Sequence, residues 1–345
     1  MIDIAKDIRL IPREDIEKWF LEQKVEKFRL KQLEEWLWKK GVRAFSLMTN
    51  LPESLRNKLT SNFSFITINN SLVKESKDGT LKVLFSLYDN NKIEGVLIPS
   101  GKRNTACIST QVGCKINCTF CATGQLGYKR NLMYTEIYDQ VIILNELALQ
   151  KTGRSLSNIV MMGMGEPLLN YDSVKQAINY ITGKVGLGMS PSRLTVSTVG
   201  IPEMIVKLAD EQIKYNLALS LHSADNNKRK QLIPIAKKYS LNDLIVSLKY
   251  FYEHTHNRII IEYLLLGDIN DSTEDAEKLA KFCKNFPVKI NLIGYNQVIG
   301  LNFKKSSETN IKKFKELLEA KNLIVNYRRS RGDDINAACG QLAAN

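Results

Sequence analysis

The chain reads as an α/β protein on a parallel sheet, either an open doubly wound sheet or a partial barrel, behind a small helical module. Three observations lead there. From about residue 105 six strand-like runs, TACIST, NIVMMGMG, RLTVSTVG, NLALSLH, RIIIEYLLL and VKINLIGYN, alternate with amphipathic stretches such as TEIYDQVIILNELALQ. Strands alternating with helices build a parallel sheet. Before them lie a short antiparallel pattern and, earlier still, helical spacing.

Residues 1–62 form the expected helical module. Phe20, Phe28, Leu33, Trp36 and Leu37 recur at three- and four-residue steps, and LPESL opens a further helix with Pro52 in its first turn. Over 63–99, FSFITI and TLKVLFSLY with the turns KDGT and DNNK predict a small antiparallel segment linking two domains. Residues 100–345 are expected to form the α/β core. Ligands of such sheets gather at the C-terminal strand ends, and Gly165, Glu166, Ser197, His222 and Asn296 fall there.

The 345 residues are 44% apolar and 25% charged, ordinary for a globular chain. No stretch reaches the roughly 18 apolar residues of a membrane helix. The start, MIDIAKDIRLIPRED, has no apolar leader region, so a cytoplasmic location is expected. Cysteines there serve mostly as thiols and ligands. The net charge of +13 is partly clustered, at Lys102 and Arg103, at Lys228 to Lys230, and at Arg328, Arg329 and Arg331. A polyanion, first of all nucleic acid, is the expected partner.

Three of the six cysteines lie in GCKINCTFCATG, as Cys114, Cys118 and Cys121. Zinc normally takes four ligands, and His222 or Cys107 would have to complete that set. A redox CxxC would leave one thiol idle. A four-iron cluster on three thiolates would keep one iron open for a ligand. Cys283, in KFCKNF, reads as structural, and His254 and His256 carry no expected role.

The C-x3-C-x2-C spacing resembles that of radical S-adenosylmethionine (SAM) enzymes, and GMGEP at 163–167 strengthens the likeness. The blocks VLIPSGKRNTACISTQVGCKINCTFCATG, NIVMMGMGEPLLN, LTVSTVGI, LALSLHSADN and RGDDINAACGQL resemble the RlmN family of RNA methyltransferases. That resemblance implies a partial (β/α)6 barrel of the radical SAM type with an N-terminal helical, RNA-binding accessory domain. It implies a [4Fe-4S] cluster on Cys114, Cys118 and Cys121. SAM would be held by Gly165, Glu166, Ser197, Ser220, Leu221, His222 and Asn296. The implied reaction is methylation of adenosine C2 in 23S rRNA and in tRNA, with two SAM molecules per turnover. Cys339 would carry the methyl group, Glu94 would accept the C2 proton, and Cys107 would release the product through a transient disulfide with Cys339. A flavodoxin-type electron donor and a monomeric enzyme are also implied. The related Cfr type, methylating C8, and a non-catalytic zinc-stabilised RNA-binding protein are the alternatives. The family often has proline after the asparagine matching Asn296, where this chain has Gln297.

Overall fold

The computed structural model describes residues 6–343. The first five residues of the stretch read as lacking a leader lie outside them. The helical module forms as expected: α1 (Arg13–Glu22), α2 (Lys27–Glu34, running on into a wider turn at Glu35–Lys39) and α3 (Glu53–Asn62). Pro12 and Pro52 each sit just ahead of a first turn, where a missing N–H costs nothing. Phe20, Leu30, Leu33 and Leu37 are buried, but Phe28 points outward under the Arg29 guanidinium.

Then follow β1 (Asn69–Glu75), β2 (Leu81–Ser86), β3 (Lys92–Ser100) and β4 (Arg103–Cys107), joined antiparallel. The expected link at 63–99 is antiparallel but not a separate segment. β3 pairs with β4 from Val96–Cys107 to Ser100–Arg103, so these strands open the main sheet. A hairpin excursion comes next: β5 (Gln111–Gly113), α4 (Ala122–Gln125) and β6 (Tyr128–Asn131). The chain continues through α5 (Tyr134–Thr152), β7 (Asn158–Met161), α6 (Tyr171–Thr182), β8 (Leu194–Thr198), α7 (Pro202–Asp210) and β9 (Asn216–Ser220). It ends with α8 (Asn226–Leu232), α9 (Leu241–Thr255), β10 (Ile259–Leu265), α10 (Thr273–Cys283), β11 (Val288–Gly294), α11 (Glu308–Ala320) and β12 (Val325–Arg328).

Ten strands form one sheet in the order β1-β2-β3-β4-β7-β8-β9-β10-β11-β12. From β4 to β12 all neighbours are parallel. The six strand-like runs are all strands of this parallel part. β12 is a seventh, hidden in the sequence because only Val325 of its four residues is buried. The order has two free ends and closes no ring among the described residues. β8, β9 and β10 are buried on both faces, so their sequences run apolar without alternation.

Two contacts fix the helical module to the core. Trp38 stacks on Tyr180 of α6 at 3.5 Å between centroids, and the Tyr138 hydroxyl of α5 donates to Trp38 O. Arg9 is buried between Asp7 (3.0 Å) and Asp139 of α5 (2.7 Å). Where the module meets α5, a Cβ on Gly41 would lie 2.5 Å from Ile142 Cδ1, so glycine permits the approach.

Candidate active site

The cysteine loop projects from the β5–β6 hairpin. Gly113, at φ +74°, closes its neck, where a Cβ would lie 1.8 Å from Gly127 O. Within the loop Cys114 N–H donates to Gly127 O (2.9 Å) and Cys121 N–H to Cys118 O (3.2 Å), and Cys121 immediately precedes α4. Burial pushes Cys114 up to about 12 and Cys118 further, with the neighbouring thiols adding to the shift. The three therefore sit close enough to repel one another as thiolates, which a cationic metal group would relieve.

A single zinc suits this arrangement poorly. Among the described residues no three His, Cys, Asp or Glu side chains gather tightly enough for one ion. His222 Nδ1 accepts from Leu264 N–H at 3.0 Å, which puts the ring proton on Nε2 and leaves no lone pair for a metal. Burial lowers His222 to about 3, so the ring is neutral. Cys107, the other candidate fourth ligand, stands at the end of β4 and lines one cavity with Cys339. Three thiols in one short loop fit the open-iron cluster, with Cys339 across that cavity within electrostatic reach of Cys121. Arg229 is fully buried and within electrostatic reach of Cys118. Its Nε and Nη2 hold Leu221 O and Val199 O, and Nη1 has no partner.

A cavity of about 720 Å³ opens at the C-terminal strand ends, beside this loop. Cys107 at the end of β4, Gly165 and Glu166 after β7, Ser197 on β8, Ser220 and His222 at the end of β9, Asn296 after β11, Cys121 and Cys339 all line it. The GMGEP turn is held tight to the link from β4 into β5. Met164 N–H donates to Ser109 Oγ (2.8 Å) and Glu166 N–H to Gln111 Oε1 (2.9 Å). At Gly165, φ +103°, a Cβ would lie 2.6 Å from Gln111 Cβ. The Glu166 carboxylate accepts from Val199 N–H (2.9 Å) and Leu168 N–H (3.1 Å), while burial raises it to about 7. Ser197 and Ser220 hydroxyls touch at 3.2 Å. Asn296 Nδ2 is buried and unpartnered at the cavity wall.

Two named residues do not reach the cavity. Leu221 is fully buried, its N–H on Glu262 O. Glu94 is fully buried on β3, paired with Lys82 Nζ at 2.9 Å, and its Oε2 accepts from Ala343 N–H at 2.8 Å. The C-terminal segment lies over it, held also by Ala122 N–H to Gly340 O (2.7 Å) and Thr123 Oγ1 to Leu342 O (2.7 Å). Gln297 O receives Gln341 Nε2 at 3.0 Å, so the position after Asn296 ties down the same segment.

Cys107 and Cys339, near opposite ends of the core, meet at one cavity. Burial pushes Cys107 up to about 12, with Cys339 adding to it. Cys339 keeps solvent access where it lines the cavity, yet the surrounding protein still raises its thiol, while Arg328 lowers it. Arg103, Arg328, Arg329 and Arg331 also line the cavity. Sequence reasoning missed Glu262, a lone carboxylate in the apolar run RIIIEYLLL. A charge in such a run must be buried, and therefore partnered.

Residues 108–283 match the Radical SAM superfamily, and residues 1–65 match the ribosomal RNA large subunit methyltransferase N-terminal domain. A probable dual-specificity RNA methyltransferase RlmN of Christiangramia forsetii is 46% identical, covering 99% of this chain and 97% of its own. The protein of the same description from Staphylococcus aureus is 41% identical over 96% and 91%. The crystal structure of a radical SAM methyltransferase from Sphaerobacter thermophilus superposes with a TM-score of 0.93 at 34% identity, over 98% of this chain and 99% of that one. These likenesses, which run over nearly the whole chain, mean that it belongs to the RlmN family of radical SAM RNA methyltransferases.

Proposed function

We propose that the enzyme methylates C2 of an adenosine in the peptidyl-transferase centre of 23S rRNA and of the tRNA adenosine 3′ of the anticodon. It would act as a monomer in the cytoplasm, with a flavodoxin-type donor. The observation that carries this reading is the convergence of Cys107 and Cys339 on the cavity that also holds the residues of the SAM motifs. C2 of adenine is electrophilic and offers no nucleophile to a sulfonium methyl, so direct transfer fails and a carrier is needed.

In this reading Cys339 gives up its thiol proton and takes a methyl from a first SAM as a thioether. A cluster on Cys114, Cys118 and Cys121, with a second SAM against Gly165, Glu166, Ser197, Ser220, His222 and Asn296, supplies one-electron cleavage to a hydrogen-abstracting deoxyadenosyl radical. The methylene carbon left on Cys339 would bond to C2, and the adduct would lose the C2 proton and one electron, the electron returning to the cluster that spent one on the second SAM. Glu94, fully buried and outside the cavity lining, would reach that proton once the C-terminal segment over it, held by Ala343 N–H on Oε2, lifts. Cys107 then attacks the Cys339 sulfur. The S–S bond forms, the carbon–sulfur bond breaks toward carbon, and that carbon takes a proton to become the methyl group. A cellular dithiol reductant reopens the disulfide. Leu221 contributes through its backbone and the strand end it anchors.

Nucleoside mass spectrometry of RNA treated with anoxically reconstituted enzyme tests this. 2-Methyladenosine is expected from the wild type and none from Cys339→Ala. 8-Methyladenosine would assign the Cfr chemistry, and methylation by Cys339→Ala would remove the carrier role.

A further inference from the structure

A row of polar side chains on neighbouring parallel strands runs out from the cavity wall, where Ser220 and Glu262 line it. Glu262 of β10 stands in register with Ser220 of β9 on one side and Asn291 of β11 on the other, and Asn291 with Asn326 of β12. Glu262 is almost wholly buried yet lines the cavity. Its two carboxylate oxygens differ. Oε1 accepts from Asn291 Nδ2 at 2.8 Å and faces Arg328 Nη1 at 3.5 Å. Oε2 has no partner at all. A buried carboxylate oxygen without a donor is costly enough that it points to a ligand donor. Burial raises Glu262 while Arg328 and Asn291 hold it down. Cys339 lies within electrostatic reach of both Glu262 and Arg328. Glu262 and the proposed methyl carrier thus line one cavity.

We infer that Glu262 Oε2 accepts a hydrogen bond from the exocyclic amine of the target adenine, making Glu262 the residue that reads the base. This rests on the adenine-C2 reading above. In adenine, C2 and the carbon bearing the amine both flank N1, so a base with C2 at Cys339 presents its amine close by. Guanine carries a carbonyl oxygen in place of that amine, and two acceptors facing each other repel. Arg328 and Asn291 fix the acceptor orientation by occupying Oε1. SAM brings competing donors into the cavity, its ribose hydroxyls, its ammonium group and its own adenine amine, and the SAM-binding readout below separates them from the target base; the Ser197–Ser220 pair already offers the ribose partners.

The test uses the full-length reconstituted protein and two RNAs, one with adenosine and one with purine riboside, which lacks the amine, at the target position. Wild type is expected to bind the purine riboside RNA about tenfold to a hundredfold more weakly, the range of a lost hydrogen bond to a charged acceptor. This comparison needs no variant. In Glu262→Gln the amide oxygen must face Asn291 and Arg328, so the NH2 group takes the free position and acceptor becomes donor. The variant should lose the preference and bind SAM as the wild type does, followed by the SAM-dependent change in the cluster spectrum. Equal wild-type binding of the two RNAs would overturn the inference, as would a Glu262→Gln variant with weakened SAM binding and an unchanged RNA preference, which would assign the oxygen to the cofactor. If wild type binds with the expected preference but makes no 2-methyladenosine, the C2 reading fails and base recognition stands.

Discussion

Replacing Arg9 by Met should detach the N-terminal module more severely than replacing its partner Asp139 by Asn. The buried group of Arg9, Asp7 and Asp139 carries one excess negative charge, and all three side chains are at most 1% exposed. Removing Arg9 leaves two facing carboxylates with no cation and strips Ile66 O of its donor. Breaking a buried ion pair in this way costs about 3–5 kcal/mol. Asp139→Asn leaves a neutral Arg9–Asp7 pair and an amide oxygen for Nη1, a change of about 1 kcal/mol. Hydrogen exchange of the amides of α2, α3 and α5 reads the opening directly. The cost should also depend on pH. Burial already raises Asp139, and Arg9 above all, with Arg43 behind it, holds it down. Without Arg9 its folded value rises further above the unfolded one. The Arg9→Met deficit should therefore be full near pH 7 and shrink as pH falls and Asp139 takes a proton. Equal costs for the two variants, or an Arg9→Met deficit that does not shrink in acid, would refute this reasoning.

Cys107→Ala should still form the bond to C2 but fail to release it, so a denaturation-stable protein–RNA adduct should accumulate on gels. Gly165→Ala should fold yet bind SAM at least tenfold more weakly. Its Cβ meets Gln111 at 2.6 Å and its φ is +103°, and the cluster spectrum under SAM titration measures the loss. Arg229→Met removes the buried cation near Cys118, so the cluster should become harder to reduce, seen as a more negative midpoint in an electron paramagnetic resonance titration.

The parallel core was legible because buried strands such as RIIIEYLLL leave continuous apolar runs, whereas β12 has one buried residue and leaves none. The antiparallel stretch was legible as strands, but not its pairing with β4, because register between distant segments leaves no local pattern. In the site, the three-cysteine spacing and GMGEP are local and could be read directly. The meeting of Cys107 with Cys339 is a property of sheet order, and only family resemblance suggested it. Glu94 was legible as a residue but not in its state, since nothing in KIEGVLIP shows that Ala343 would occupy its carboxylate. Glu262 had a readable signal, a charge among seven apolar neighbours in RIIIEYLLL, whose meaning became clear once Asn291 and Arg328 were seen to satisfy only one oxygen.

Mössbauer spectroscopy of the anoxically purified protein, with and without SAM, bears most directly on the claim that three thiolates leave one iron free. The expected result is a four-iron cluster in which SAM alters the signal of a single iron and leaves the other three unchanged. A cluster indifferent to SAM, or a site that takes up zinc with four protein donors, would contradict it.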